Sequence, residues 1–255
     1  MLTAGDRQLE ADHVVVASGA YHRPFVPALA AQLDPAVVQL HSSEYRDPSQ
    51  LAAGAVLVVG AGNSGAEIAR EVAGTHRTWL SGRDTGHLPW RLDTRWDRLL
   101  TPPIWFMGSR VLTRSTPLGR LARPRIVSAG APLERVQPAD LTAAGIERVP
   151  RTTGVRDGWP VLEDDRVMRV ATIIWCTGFR PDFGWIDRPI FDARGEPVQD
   201  RGVVPSEPGL YFVGRFFQHA LTSSLIGGVG RDAAHVARHL MTTSKAGQRV
   251  TSLTA

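Results

Sequence analysis

The chain has 255 residues, 43% of them hydrophobic and 21% charged, with a formal net charge of +4 at neutral pH, an ordinary globular composition with room for one large domain or two modest ones. A single cysteine, Cys176, excludes an intrachain disulfide and any cysteine zinc cluster, and no apolar run approaches the ~20 residues a membrane helix requires. The positive charge comes from dispersed arginine, densest between Arg91 and Arg125, with no lysine-rich block to organise a nucleic-acid surface, and a charged dinucleotide accounts for it equally well.

Residues 1–20 carry Asp6, Glu10 and Asp12 and lack the basic end, apolar run and small-residue cleavage site of a signal peptide, which points to a cytoplasmic protein. Residues 2–12 read as a polar hairpin turning at Gly5-Asp6, followed by a strand over residues 13–17 that ends in Ser18-Gly19. Residues 55–59 are a continuous apolar, valine-rich run, the pattern of a strand buried on both faces. Over residues 63–72 the periodicity becomes helical, with Ala66, Ile68, Ala69 and Val72 apolar and Gly74 placed to stop the helix. Residues 75–80 supply the next strand and complete a βαβ unit. Residues 86–130 combine Trp90, Trp96 and Trp105 with several prolines and many arginines and predict a helical insertion.

Residues 159–169 repeat the polar hairpin around Glu163-Asp164-Asp165, and residues 170–176 repeat the strand, now ending in Thr177-Gly178. Such recurrence suggests two related nucleotide-binding halves. Residues 209–214 read as a strand and turn, Gly227-Gly228-Val229-Gly230 as a loop, residues 231–241 as a short amphipathic helix, and the residues after Ser244 as a frayed tail.

The strongest local signal is Gly60-Ala61-Gly62-Asn63-Ser64-Gly65, a G-x-G-x-x-G placed directly after a strand and before a helix. Gly60 permits the tight turn, Gly62 lets a pyrophosphate approach the backbone, and Gly65 lets helix and strand pack closely; the helix N-terminus, with Asn63 and Ser64, offers unpaired N–H groups to phosphate. About twenty residues further on, Ser81 and Arg83 suit the 2′-phosphate of NADPH, because a guanidinium makes charge-assisted paired bonds to phosphate. Asp84 leaves an alternative open: it could pair with Arg83 or itself hold the ribose 2′-hydroxyl of NADH.

Four segments in this order carry a resemblance: residues 14–19 with Pro24 and Pro27; His41-Ser42-Ser43-Glu44-Tyr45; the glycine motif; and Trp175-Cys176-Thr177-Gly178-Phe179-Arg180-Pro181-Asp182. Together they are similar to the flavin-containing monooxygenase superfamily, in its bacterial NAD(P)/FAD-dependent oxidoreductase type, over nearly the whole chain. The chain keeps His41, Ser42 and Tyr45 but has Pro35 and Val37 where the family carries phenylalanine and glycine. Tyr45 resembles the flavin monooxygenase and N-hydroxylase pattern rather than the Baeyer–Villiger one.

The resemblance implies an α/β, two-dinucleotide-binding, Rossmann-like flavoprotein fold with an intact NADPH domain and an incomplete FAD domain, N-terminally truncated because the opening FAD glycine motif is missing. Residues 1–46 would be a remnant of the FAD-binding domain, 47–172 the NADPH-binding domain with its insertion at about 86–130, 173–245 the C-terminal part of the FAD domain, and 246–255 a flexible tail. It implies that Ser18, Gly19, Thr177, Gly178 and Phe179 place backbone close to both cofactors, that His41 and Ser42 belong to the cofactor-binding set, and that Gly214, Ser224 and Leu225 lie in the closing FAD segment, while Arg215 stands where many flavoproteins carry a ribityl-binding aspartate. The chemistry implied is hydride transfer from NADPH to FAD and oxygenation of nitrogen or sulfur through a flavin hydroperoxide, with a small-molecule substrate admitted past an entrance or lid at residues 87–125. By the residues alone, that segment serves equally as a helical cap, and His41 and Tyr45 as a polar turn.

No metal or nucleic-acid partner is expected, catalytic residues are left unassigned, and no acid–base triad is required where the cofactor carries the chemistry. The alternatives are a non-catalytic NADPH-binding fragment, or a subunit needing another chain to complete its FAD site; a homo-oligomer or a complementing chain is the expected partner. A disulfide reductase is disfavoured because Cys176 stands alone.

Overall fold

The computed structural model describes residues 2–90 and 94–251. In chain order the elements are β1 (Leu2–Ala4), β2 (Arg7–Leu9), β3 (Val14–Val16), β4 (Arg23–Pro24), β5 (Val38–His41), β6 (Val56–Val59), α1 (Asn63–Val72), β7 (Thr78–Ser81), α2 (Arg95–Phe106), α3 (Pro117–Ala129), α4 (Pro138–Ala143), β8 (Glu147–Val149), β9 (Thr152–Arg156), β10 (Trp159–Leu162), β11 (Thr172–Trp175), β12 (Phe179–Arg180), β13 (Leu210–Phe212) and α5 (Ile226–Thr251). They divide into a sheet unit, Arg23–Thr101 with Ile126–Arg180, and a terminal unit, Met1–His22 with Pro102–Arg125 and Pro181–Ala255.

The sheet unit is built on five parallel strands in the order β5-β11-β6-β7-β8. The apolar run of β6 splits by strand alternation: Val56 and Val58 pack with Ala66, Ala69 and Val72 of α1, whereas Leu57 and Val59 pack with Leu33, Val37 and Trp175 on the opposite face. Every β6 residue is buried, and each such side chain contributes roughly 1.5–3 kcal/mol through burial. β6 continues through α1 to β7 on one side and has β11 on the other, so the glycine turn lies where the strand order reverses, the usual ligand position of an open α/β sheet.

In the terminal unit, β1 and β2 form an antiparallel hairpin and β3 pairs in parallel with β13, over a core of Val16, Phe183, Ile190, Val204, Leu210 and Phe212. Thr113 bridges Ala220, and the Arg114 and Leu221 backbones bond His219 and Leu112, which ties part of the insertion to the segment before α5.

The helix and strands of the βαβ unit, the first hairpin and the helical insertion stand as the sequence predicts, except that β7 begins at Thr78 after a turn over residues 73–76. The insertion's residues 91–93 lie outside the described residues. The second hairpin turns at Glu163-Asp164 as expected, with Val161 bridging Val167, the Leu162 N–H donating to the Arg166 carbonyl at 2.9 Å and the Met168 N–H to the Pro160 carbonyl at 2.9 Å; β10 pairs in addition with β9, through a turn at Asp157-Gly158.

The loop expected at Gly227–Gly230 is corrected: these residues form the first turns of α5, which starts at Ile226 rather than Arg231. A Cβ on Gly228 would overlap the Thr222 carbonyl oxygen, and one on Gly227 would sit 2.8 Å from the Trp105 ring, so close packing selects glycine against its helix propensity. Of the tail expected after Ser244, residues up to Thr251 continue α5, and 252–255 lie outside the described residues. Residues 23–46, expected with the FAD remnant, fall in the sheet unit because β5 hydrogen-bonds β11.

Candidate functional site

The β6–α1 turn shows a division of labour among its three glycines. A Cβ on Gly60 would overlap the Cys176 carbonyl oxygen, and one on Gly65 would overlap the carbonyl oxygen of Gly60, so both are demanded by the close approach of β11, the turn and α1. A Cβ on Gly62 meets nothing within 4 Å, so packing within the fold does not demand glycine there. Gly62 is also the N-cap of α1, has no side chain to cap it, and no acidic residue occupies the first turn, so the positive end of the helix dipole is left for an anion. The Asn63 side chain is turned to the neighbouring loop, donating to the Pro132 carbonyl at 3.0 Å and accepting from the Glu134 N–H at 2.8 Å. Ser64 is exposed.

A cavity of about 770 Å³ extends from Gly60 and Ala61 past Gly82 and Arg83 to Arg151 and Thr152. Ser81 is fully buried, and its hydroxyl is consumed internally: it donates to the Pro150 carbonyl at 2.8 Å, accepts from the Thr152 N–H at 2.9 Å and meets the Thr152 hydroxyl at 2.9 Å. Ser81 therefore staples the end of β7 to the chain leaving β8. Arg83 is exposed on the cavity wall. Asp84 is exposed, and its carboxylate faces Arg148 at 3.9 Å and accepts the Gly86 N–H at 2.8 Å.

Several lining residues escaped sequence reasoning, Arg151 and Thr85 among them. Arg151 stands just past β8, a strand too short and mixed to be recognised, and Thr85 holds a buried hydroxyl with no hydrogen-bond partner among the described residues. An arginine and threonines directly after Val149-Pro150 were the signal available. Cys176 also lines this cavity; burial pushes its thiol up to about 12, so it stays protonated near neutrality.

His41 is buried, with its ring edge-on to Phe179 at 5.0 Å. The Ser43 N–H donates to Nδ1 at 3.2 Å, so Nε2 carries the proton and donates to the Gly178 carbonyl at 3.0 Å. That carbonyl also accepts from the Phe25 N–H at 2.9 Å, and the Thr177 hydroxyl donates to the Phe25 carbonyl. Ser42 is tied through its N–H to the Trp175 carbonyl at 3.0 Å. His41, Ser42, Thr177, Gly178 and Phe179 are thus brought together at the end of β11, where the histidine fixes the backbone and both ring nitrogens are occupied. The Tyr45 hydroxyl donates to Glu71 at 3.2 Å, and burial together with that carboxylate pushes its pKa upward.

In the terminal unit Val16 and Phe212 are register partners, so Ser18 and Gly214 each stand two residues beyond paired positions on adjacent parallel strands, with Gly19 next to Ser18. Gly19 and Gly214 have φ of +76° and +83°, the left-handed region that favours glycine. Ser224 and Leu225 lead into α5. Arg215 is spent internally: its side chain is 12% exposed, pairs with Glu196 and lies over the Phe183 ring at 4.6 Å. Among the described residues no group of three or more histidine, cysteine, aspartate or glutamate side chains could hold a metal ion, and no helix is long and apolar enough to cross a membrane.

A parallel sheet with a glycine turn at its switch point, followed by a second strand pair with glycines at its ends, defines a dinucleotide-binding oxidoreductase fold of the flavoprotein type. Residues 2–87 match the family model described as pyridine nucleotide-disulphide oxidoreductase. The chain is 35% identical over 249 residues to an uncharacterized CzcO-like oxidoreductase of Geobacillus kaustophilus, covering 94% of this chain and 68% of that one. It belongs to the CzcO-like oxidoreductase family. Among solved structures it is similar to a flavin-containing monooxygenase from Stenotrophomonas maltophilia, with a TM-score of 0.63 and 23% identity over 91% of this chain and 63% of that one. It is also similar to OTEMO in complex with FAD and NADP, with a TM-score of 0.56 and 14% identity over 92% of this chain and 62% of that one. The chain therefore spans a little under two thirds of the length of these solved structures.

Proposed function

We propose that the sheet unit binds NADPH and that the whole protein is an NADPH-dependent, FAD-containing oxidoreductase of monooxygenase type, oxygenating nitrogen or sulfur of a small molecule. The observation that carries the reading is the contrast among the three motif glycines: two are filled by the fold, and Gly62 faces open space at an uncapped helix N-terminus. When bound, NADPH supplies a hydride from its nicotinamide. The chain's own part is binding and orientation. Backbone N–H groups of the first α1 turn hold the pyrophosphate, Arg83 faces the adenosine end, and His41 keeps the Gly178 backbone in place at the end of β11.

The fit to FAD is narrower. The terminal unit supplies the strand ends at Ser18 and Gly214, but among the described residues the glycine motif at a strand–helix turn occurs once, in the sheet unit. The FAD reading is supported by the relatives, the solved structures named above including a flavin-containing monooxygenase and a complex with FAD and NADP.

A second reading, in which this chain binds NADPH and completes its flavin site with another polypeptide, is favoured by the exposure of Val15 in a two-stranded parallel pair. The visible spectrum of the purified chain, mixed with FAD and gel-filtered, separates the two, with NADPH binding titrated in parallel. A retained flavin spectrum supports the first reading, and a colourless NADPH-binding protein the second. A chain that binds neither nucleotide overturns both.

A further inference from the structure

We infer that Arg151 acts with Arg83 as a two-arginine clamp that selects NADPH over NADH by its 2′-phosphate; the inference rests on the reading of the cavity as a pyridine-dinucleotide site. β7 and β8 run parallel with Ser81 opposite Val149, and each arginine stands two residues beyond its strand's paired position. Neighbouring strands lie about 4.8 Å apart, so both arginines leave the same edge of the sheet from adjacent strands. Both line the one cavity, both are exposed, and neither makes an ion pair among the described residues.

Charge and bonding on this wall favour a phosphate monoester. Two exposed guanidinium groups leaving adjacent strand ends present paired donors and two positive charges to one anion, and a phosphate monoester carries about −1.5 to −2 at neutral pH. Asp84, the acid that would instead hold an unmodified ribose hydroxyl, is drawn toward Arg148 and the Gly86 N–H. The Ser81 hydroxyl fixes the approach of Arg151 by holding Pro150 and Thr152 on either side of it.

The test is binding without turnover: dissociation constants of NADPH, NADH and 2′,5′-ADP for the wild-type chain and for Arg151→Gln, Arg83→Gln and Arg151→Lys, measured by calorimetry. Arg151→Gln weakens NADPH and 2′,5′-ADP by about ten- to a hundredfold and leaves NADH within about twofold, while Arg151→Lys falls between. The exposed position of Arg151 keeps the melting temperature unchanged, which serves as the folding control. An unchanged ratio of NADPH to NADH affinity in Arg151→Gln overturns the clamp and leaves the dinucleotide reading standing. A wild-type chain that binds neither NADPH nor NADH overturns the reading itself, and the clamp with it.

Discussion

Two parallel strand pairs carry the candidate residues, and they are made alike but finished differently. In the sheet unit, β7 and β8 release Arg83 and Arg151 from a five-stranded sheet whose central strands are buried on both faces. In the terminal unit, β3 and β13 release Ser18 and Gly214 from a sheet of two strands, where Tyr211 is 1% exposed while its register partner Val15 is 45% exposed. Parallel register alone brings residues to a common edge in both places. What makes a cradle in the first is the glycine turn beside it and the helix that the turn feeds, both held by a core on each side of the sheet.

The largest expected effect breaks the cradle from inside. Gly65→Ala places a methyl group into the Gly60 carbonyl, which cannot move without shifting β11, so unfolding stability falls by more than ~3 kcal/mol and the melting temperature by about 10 °C. Gly62→Ala, in the same motif, leaves the melting temperature within about 1 °C and weakens NADPH binding instead, since its Cβ meets only open space. Equal losses of melting temperature in the two variants would show that the openness of Gly62 is not reserved for a ligand.

His41→Ala comes next, at about 2–4 kcal/mol, because it empties a buried site against Phe179 and removes the donor to Gly178. Ser81→Ala follows at roughly 1–3 kcal/mol, the cost of leaving the Thr152 N–H and the Pro150 carbonyl without their shared hydroxyl. Both losses are read by urea denaturation. For Ser81→Ala the NADPH affinity should fall as well, because the staple that aims Arg151 is gone; unchanged affinity would reduce Ser81 to packing.

The sheet unit was legible because its signals are local. The valine-rich run of β6, the glycine turn and the apolar period of α1 each state their structure within a few residues, and α1 begins and ends where the pattern predicts. Legibility failed where tertiary contact decides. Gly227 and Gly228 read as a loop by propensity, yet they are helical because Trp105 and Thr222 approach too closely for a side chain. Ser81 was identified by type as a phosphate contact, but its hydroxyl is taken by chain some seventy residues onward, which spacing could not foretell. Arg151 was missed for the complementary reason: β8 has three residues, and only its pairing with β7 brings that arginine to the same edge as Arg83. The Arg215 position was noticed from a family pattern, but its pairing with Glu196 over Phe183 required the fold.

The smallest expected effect tests the unfinished side of the comparison. Val15→Thr exchanges a methyl for a hydroxyl on an exposed strand residue, and threonine has strand propensity close to valine, so stability should change by no more than about 0.5 kcal/mol. The same exchange at Val58, fully buried against α1, puts an unbonded hydroxyl into the core and costs about 1–3 kcal/mol. Denaturation of both variants, with gel filtration at two protein concentrations, separates the cases. If Val15→Thr costs as much as Val58→Thr, the outer face of β3 is covered in solution, and concentration dependence of the loss identifies a second copy as the cover. If it costs nothing, the outer face of β3 is open in solution, while β13 is flanked on its far side by residues 202–204 through the Val203–Tyr211 bridge, and the terminal unit differs from the sheet unit in what surrounds its strands rather than in how they pair.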